Sequence, residues 1–156
     1  MVAERLQPVN ARGFTLAELM VAVAVAGLLA VLSFSTLLSY ARTSALQAVA
    51  RELAGALNLG RQLAITHNTT VCVEASGASI RLRRGGCGGA VWAGPATDAG
   101  GAIRISDPSF LITTTADVVF SDLGAASPAG TYTVTNRVNG ATRAVVVAAS
   151  GRISVR

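Results

Sequence analysis

From Phe14 to Leu38 the chain carries one ionisable side chain, Glu18. A helix rises about 1.5 Å per residue, so roughly 20 apolar residues cover the hydrocarbon core of a bilayer. The run therefore predicts a membrane-spanning helix over 14–40. A carboxylate near the start of such a helix is costly in lipid and points to a function. Arg5 and Arg12 precede the run. The positive-inside tendency places them in the cytoplasm and everything from about residue 41 on the far side. A secretory signal would put its apolar region before the cut, with a small-residue site after it. No such site follows here. An ordinary signal anchor or a buried core helix would leave Glu18 unexplained.

The helical pattern continues past the membrane segment. Leu46, Val49, Ala50, Leu53, Leu57, Gly60 and Ala64 follow the i, i+3, i+4, i+7 spacing of one helix face. Gln47, Arg51, Asn58 and Arg61 fall elsewhere on the wheel. No proline interrupts residues 14–66, so one helix of about 50 residues is expected, with Ser33, Ser35, Thr36 and Ser39 marking the passage from lipid to water. His67-Asn68-Thr69 ends it. The period then changes to two. Residues 70–74 and 79–83 alternate around Ser76-Gly77, which predicts a hairpin with Ile80 and Leu82 opposite Arg81 and Arg83. Residues 85–101 are rich in Gly and Ala around Trp92 and read as an irregular loop. Short strands are expected at 102–106, 111–114, 118–120, 131–137, 142–148 and 152–155, with Asn139-Gly140 as a tight hairpin turn. The fold class is α+β: a long N-terminal helix, transmembrane then amphipathic, packed on an antiparallel β-sheet domain.

Aromatic residues make up 4% of the chain, so the core must be built from Val, Ile, Leu and Ala. All thirteen basic residues are arginine. Beyond the apolar run, eleven arginines face six carboxylates, an excess that permits contact with phosphate or acidic surfaces. Cys72 and Cys87 would lie in an oxidising compartment, where a disulfide is expected; two free buried thiols are the alternative. Two Cys and a single His, His67, make a zinc site a poor fit, and no metal or other cofactor is expected. No Gly-x-Ser-x-Gly elbow or phosphate loop is present, and the aspartates sit in turns or at strand ends. No catalytic residue is assigned, and the chain is expected not to be an enzyme.

Gly13-Phe14-Thr15-Leu16-Ala17-Glu18 resembles the class III leader junction of type IV pilins and type II secretion pseudopilins. The resemblance implies a leader over 1–13, cleavage between Gly13 and Phe14 by a prepilin peptidase, and N-methylation of Phe14. It also implies a helix over 14–40 for anchoring and polymerisation, and a periplasmic domain over 41–156, with 41–66 helical and 69–156 β-rich. The globular half is similar to the GspH/FimT family. The likeness runs through Val71-Cys72-Val73, a Gly-rich loop with Cys87 and Trp92, Phe120-Ser121-x-x-Gly124, Ser127-Pro128-x-Gly130-Thr131-Tyr132-Thr133, Arg143-x-Val145-Val146-Val147 and Ser150-Gly151-Arg152.

The family implies a minor pseudopilin of a type II secretion pseudopilus, or alternatively a minor type IV pilin that supports pilus assembly or DNA uptake. The partners implied are other pseudopilins or pilins in a fibre tip, the prepilin peptidase, an inner-membrane assembly platform and membrane lipid. In either role Glu18 is expected to pair with the free amine of a neighbour's Phe14, since two opposite charges in an apolar medium relieve much of each other's cost. DNA-binding relatives carry a C-terminal Gly-Arg-x-Arg element. Here Gly151-Arg152 matches, Ser154 replaces the second arginine, and strand period puts Arg156 on the same face. Arg81, Arg83, Arg143, Arg152 and Arg156 are the candidate DNA contacts. Mass spectrometry of the mature protein is expected to find Phe14 at its N-terminus; retention of residues 1–13 would contradict the leader.

Overall fold

A computed structural model describes Gly13 and residues 15–156, with 33–36, 38, 39 and 42 described by backbone alone. Residues 1–12 of the leader, Phe14 and the serine and threonine side chains expected at the lipid–water passage therefore lie outside the described residues. Helix α1 spans Leu16–Thr66, 51 residues. Nine strands follow: β1 (Val71–Ser76), β2 (Ser79–Arg84), β3 (Ala90–Val91), β4 (Ala102–Arg104), β5 (Phe110–Thr114), β6 (Val118–Phe120), β7 (Gly130–Asn136), β8 (Thr142–Val147) and β9 (Ile153–Val155). The chain divides into two compact units, residues 1–41 and 42–156.

In the first unit α1 is apolar all round. Leu16, Leu19, Met20, Val21, Val23, Val25, Leu28, Val31 and Leu32 are all exposed, from 50% at Val25 to 76% at Leu16. Among the described residues no helix is long and apolar enough to cross a membrane. The span expected over 14–40 also takes in Phe14 and side chains that lie outside them.

In the second unit the rest of α1 packs on the strands. All seven positions expected on its apolar face are buried, and Ala56 and Leu63 join them. They form one core with Val71, Val73, Ile80, Leu82, Phe110, Val118, Phe120, Tyr132, Val134 and Val145. Every member of that cluster lies between Leu46 and Val147, so residues 42–156 carry their own core and meet the usual condition for folding alone. Gly60 sits where a Cβ would come within 2.9 Å of Val73 Cγ2 and 3.2 Å of Leu82 Cδ2, so its missing side chain sets how closely helix and sheet approach. The helix ends in a Schellman motif. Asn68 has φ +48°, Thr69 N–H donates to Ala64 O (3.1 Å) and Asn68 N–H to Ile65 O (3.3 Å).

The strands form two antiparallel sheets, the antiparallel β domain expected. The first has the order β3-β2-β1-β6, with β4 also paired to β2. β4 covers Ser79–Arg81 of β2 and β3 covers Arg83 and Arg84, so two short pieces protect one strand edge. β3 lies inside the stretch read as irregular; two residues are too few to show a period. The second sheet has the order β5-β7-β8-β9. The β1–β2 turn is tight, with Ser76 opposite Ser79 and Gly77 at φ +64°, as a type II′ turn requires. The Asn139-Gly140 hairpin is wider than expected. The ladder stops at the Thr135–Thr142 pair, and only Gly140 has positive φ. The reason is local: Asn136 Oδ1 accepts from Val138 N–H (2.8 Å) and Asn139 Oδ1 from Ala141 N–H (3.0 Å), so two asparagines close the loop with their side chains.

Tyr132 ties the two sheets together. It is fully buried on β7, and its hydroxyl donates to Val73 O (2.8 Å) and accepts from Val118 N–H (3.1 Å). Val73 and Val118 are paired residues of β1 and β6, so a side chain of the second sheet completes the ladder of the first. Burial, more than any other influence, pushes its pKa from 10.0 up to about 12. The folded state thus holds this proton more tightly than the unfolded chain. The resulting stability is present below pH 10 and is lost as pH rises towards 12. Tyr132→Phe leaves a buried carbonyl and amide without their partner and is expected to cost about 1–3 kcal/mol in urea unfolding. The variant should also lose this part of the alkaline drop in stability. An unchanged unfolding midpoint would contradict the tie.

Candidate functional site

The helix start is organised by its own sequence. Thr15 N–H and Oγ1–H both donate to Glu18 Oε2 (3.1 and 3.0 Å), and Glu18 N–H donates to Thr15 Oγ1 (3.2 Å). This is a capping box, in which residues N-cap and N3 satisfy each other's otherwise unpaired amides. Glu18 also lies in the first turn, where the helix dipole favours an anion. The Thr-x-x-Glu spacing is itself a capping signature in the sequence, beyond the intramembrane charge that Glu18 presents. The bonds from described residues all go to Oε2, which leaves Oε1 facing no described donor. Gly13 is exposed just before this turn.

Cys72 and Cys87 are joined by a disulfide, S–S 2.02 Å, across a separation of 15 residues. In the chain-entropy account a loop of this size contributes about 3 kcal/mol. Cys72 is directly opposite Arg83 in the β1–β2 register and so shares its sheet face. The bridge draws the Gly-rich segment after β2 over that face. Arg83 is consumed there: its Nε donates to Glu74 Oε2 (2.7 Å) and its Nη1 to Gly89 O (3.1 Å), with about a quarter of each charged side chain exposed.

The other candidate arginines are spread over separate faces. Arg81 is exposed on the outer face of the first sheet. Arg143 is paired with buried Val134 and so lies on the inner face of the second sheet, at the strand end. Arg156 exchanges two backbone bonds with Ala144, and Ser154 is opposite Val146, so residues 152, 154 and 156 share the outer face of that sheet, as strand period predicts. Arg152 and Arg156 are exposed. The five arginines therefore lie on three sheet faces: Arg81 and Arg83 on the outer face of the first sheet, Arg143 on the inner face of the second, and Arg152 and Arg156 on the outer face of the second.

The glycines of the two C-terminal motifs meet at one place. Arg61 of α1 donates through Nε to Gly124 O (3.0 Å), and the Ser121–Gly124 turn is closed by Gly124 N–H to Ser121 O (2.8 Å). Gly151 has φ +75°, and a Cβ there would run into the Gly124 carbonyl and come within 3.1 Å of Arg61 Nε. Helix, Ser121–Gly124 loop and final turn are thus clasped together just before Arg152. Among the described residues no three His, Cys, Asp or Glu side chains cluster as a metal site would need.

This arrangement, a long N-terminal helix on antiparallel strands, is the pilin-like fold. Residues 9–34 match the prokaryotic N-terminal methylation motif, and residues 49–151 match the type II transport protein GspH. The second match covers most of the chain, which belongs to the GspH family. The structure is similar to the type IV minor pilin FimU of Pseudomonas aeruginosa, 16% identical over 75% of this chain and 92% of that one, TM-score 0.58. It is also similar to the minor pseudopilin EpsH of the Vibrio cholerae type 2 secretion system, 10% identical over 71% and 95%, TM-score 0.56. Escherichia coli GspH is 16% identical over 72% and 88%, TM-score 0.56. At these identities the likeness is one of fold. No curated protein sequence matches. Gly151→Ala is expected to lower stability by about 2 kcal/mol or more through strain and the carbonyl clash. Exposed Ser150→Ala should leave it unchanged; equal midpoints for both would contradict the clasp.

Proposed function

We propose that this chain is a minor pseudopilin of a type II secretion system, a structural subunit with no catalytic role. It is made as a precursor, cut between Gly13 and Phe14 by a prepilin peptidase, and methylated on the new Phe14 amine. Residues 14–40 hold it in the inner membrane, with the N-terminus cytoplasmic and residues 41–156 periplasmic. The assembly platform then lifts it into a fibre tip, where helix packs on helix among other pseudopilins.

The observation that carries this reading is the contrast within α1. Its second part is covered by the chain's own strands, whereas Leu16–Leu32 presents large apolar side chains all round. A helix apolar on every side needs an apolar medium or close neighbours. Each such side chain is worth about 1.5–3 kcal/mol when fully buried, so water is a poor final environment. Gly27, with open space around it, permits close approach of a second helix.

Glu18 supplies the register. The capping box occupies one carboxylate oxygen and fixes the side chain, and the other oxygen accepts the Phe14 amine of a neighbour. Glu18→Ala loses both roles. Glu18→Gln keeps an oxygen for capping but loses the charge. Both variants are expected to be processed at Gly13 and to enter fibres at below a tenth of the wild-type level. Incorporation of Glu18→Gln at wild-type level would show that the charge is not used.

The shared outer face of Arg152 and Arg156 favours one second reading, a minor type IV pilin that contacts DNA. Binding of residues 42–156 to duplex DNA that weakens steeply with salt and is lost in the Arg152→Gln/Arg156→Gln double variant would support it. Absence of binding at low salt would remove it.

A further inference from the structure

Between β2, β4 and the loop that precedes β4 is an open cleft of about 720 Å³, with Arg81, Asp98 and Arg104 on its wall. β2 and β4 pair with Ser79 opposite Arg104 and Arg81 opposite Ala102, so Arg81 and Arg104 are diagonal neighbours on one face.

One carboxylate organises the wall. Asp98 Oδ1 accepts from Gly100 N–H and Ala102 N–H (both 2.9 Å), and its Oδ2 accepts from Arg104 Nε (2.9 Å). The Ala102 amide first, and Arg104 second, hold the Asp98 carboxyl below the usual carboxylate range. Asp98 is therefore a positioning residue: it shapes the loop and fixes the Arg104 guanidinium at the cleft.

The charges do not balance. Asp98 answers Arg104. Glu74, directly opposite Arg81 in the β1–β2 register, is bonded to Arg83 instead. Among the described residues no carboxylate pairs with Arg81. The cleft thus offers one uncompensated guanidinium beside a second, oriented one. Its remaining wall is small and mostly apolar, with Ala78, Ala102, Ile105 and Pro108 beside Ser79.

We propose that this cleft binds the carboxylate of a glutamate or aspartate side chain presented by a protein partner. The fork geometry of arginine suits a carboxylate, and the apolar wall suits the short stem that carries it. A nucleic acid is a poorer fit, because a single free charge cannot follow a phosphate backbone and no aromatic ring lines the cleft for stacking. The inference does not depend on which secretion or pilus machine the chain serves.

The test uses residues 42–156, ¹⁵N-labelled, at low salt. Acetyl-Ala-Glu-Leu-Ala-amide is titrated while the Nε–H signals of Arg81 and Arg104 and the amides of Gly100 and Ala102 are followed. The glutamine version of the peptide, inorganic phosphate and a short DNA duplex are titrated in parallel. Saturable shifts confined to these signals, seen with the glutamate peptide and not with glutamine, are expected. Arg81→Gln should weaken binding about tenfold, the loss of one charge-assisted contact, and Arg156→Gln should leave it unchanged. Equal shifts from the glutamine peptide, no effect of Arg81→Gln, or binding of phosphate or duplex at these signals without the glutamate peptide would each overturn the proposal.

Discussion

One helix must satisfy two surroundings. Over Leu46–Ala64 its apolar face meets strands that bury Leu53 and Leu57 completely. Over Leu16–Leu32 it exposes apolar side chains in every direction. The hydrophobic effect does not distinguish lipid from a neighbouring helix as cover, and in the proposed function that indifference is what lets a subunit pass from membrane to fibre. Direction and register need something sharper. A carboxylate already oriented by Thr15 supplies a charge with a fixed position at the first turn.

The globular half solves a different problem. With few aromatics it cannot rely on large rings alone to lock its layers, and polar ties make up the difference. The Tyr132 hydroxyl closes the gap between β1 and β6 from the opposite sheet. Arg61 fastens α1 to the Gly124 loop, against which Gly151 is packed without room for a side chain. The Cys72–Cys87 bridge and the Arg83–Glu74 pair secure the Gly-rich segment. The Tyr132, Arg61 and Arg83 ties each satisfy a backbone or charged group that burial would otherwise penalise, and the disulfide adds a covalent link.

Much of this was legible in the residues, and the reasons differ by element. The buried face of α1 followed from spacing alone, because 3.6-residue periodicity is a strong signal over five turns. The hairpin of β1 and β2 followed from alternation, and so did the common face of Arg152 and Arg156. Periodicity could not reveal that the strands split into two sheets, since that depends on which edges Tyr132 and the Gly77–Ile112 bridge bring together. Nor could it show that the Asn139-Gly140 turn is wider, because Asn136 competes for the backbone with its own side chain. Among the arginines, the sequence placed Arg81 and Arg83 alike. Only the fold separates a strut bonded to Glu74 and Gly89 from a guanidinium beside a cleft that has no carboxylate partner among the described residues. Asp98, in a Gly-rich segment with no pattern, gave no sign of its organising role.

The account's central claim is that the acid at the helix start meets the terminus of another subunit. A photoreactive residue at Ala17, beside Glu18, tests this without removing the charge. In assembled fibres the account predicts a cross-link to the first few residues of a different pilin-like subunit, identified by mass spectrometry of the joined peptides. Cross-links that stay within the chain, or reach only lipid once the fibre has formed, would contradict it.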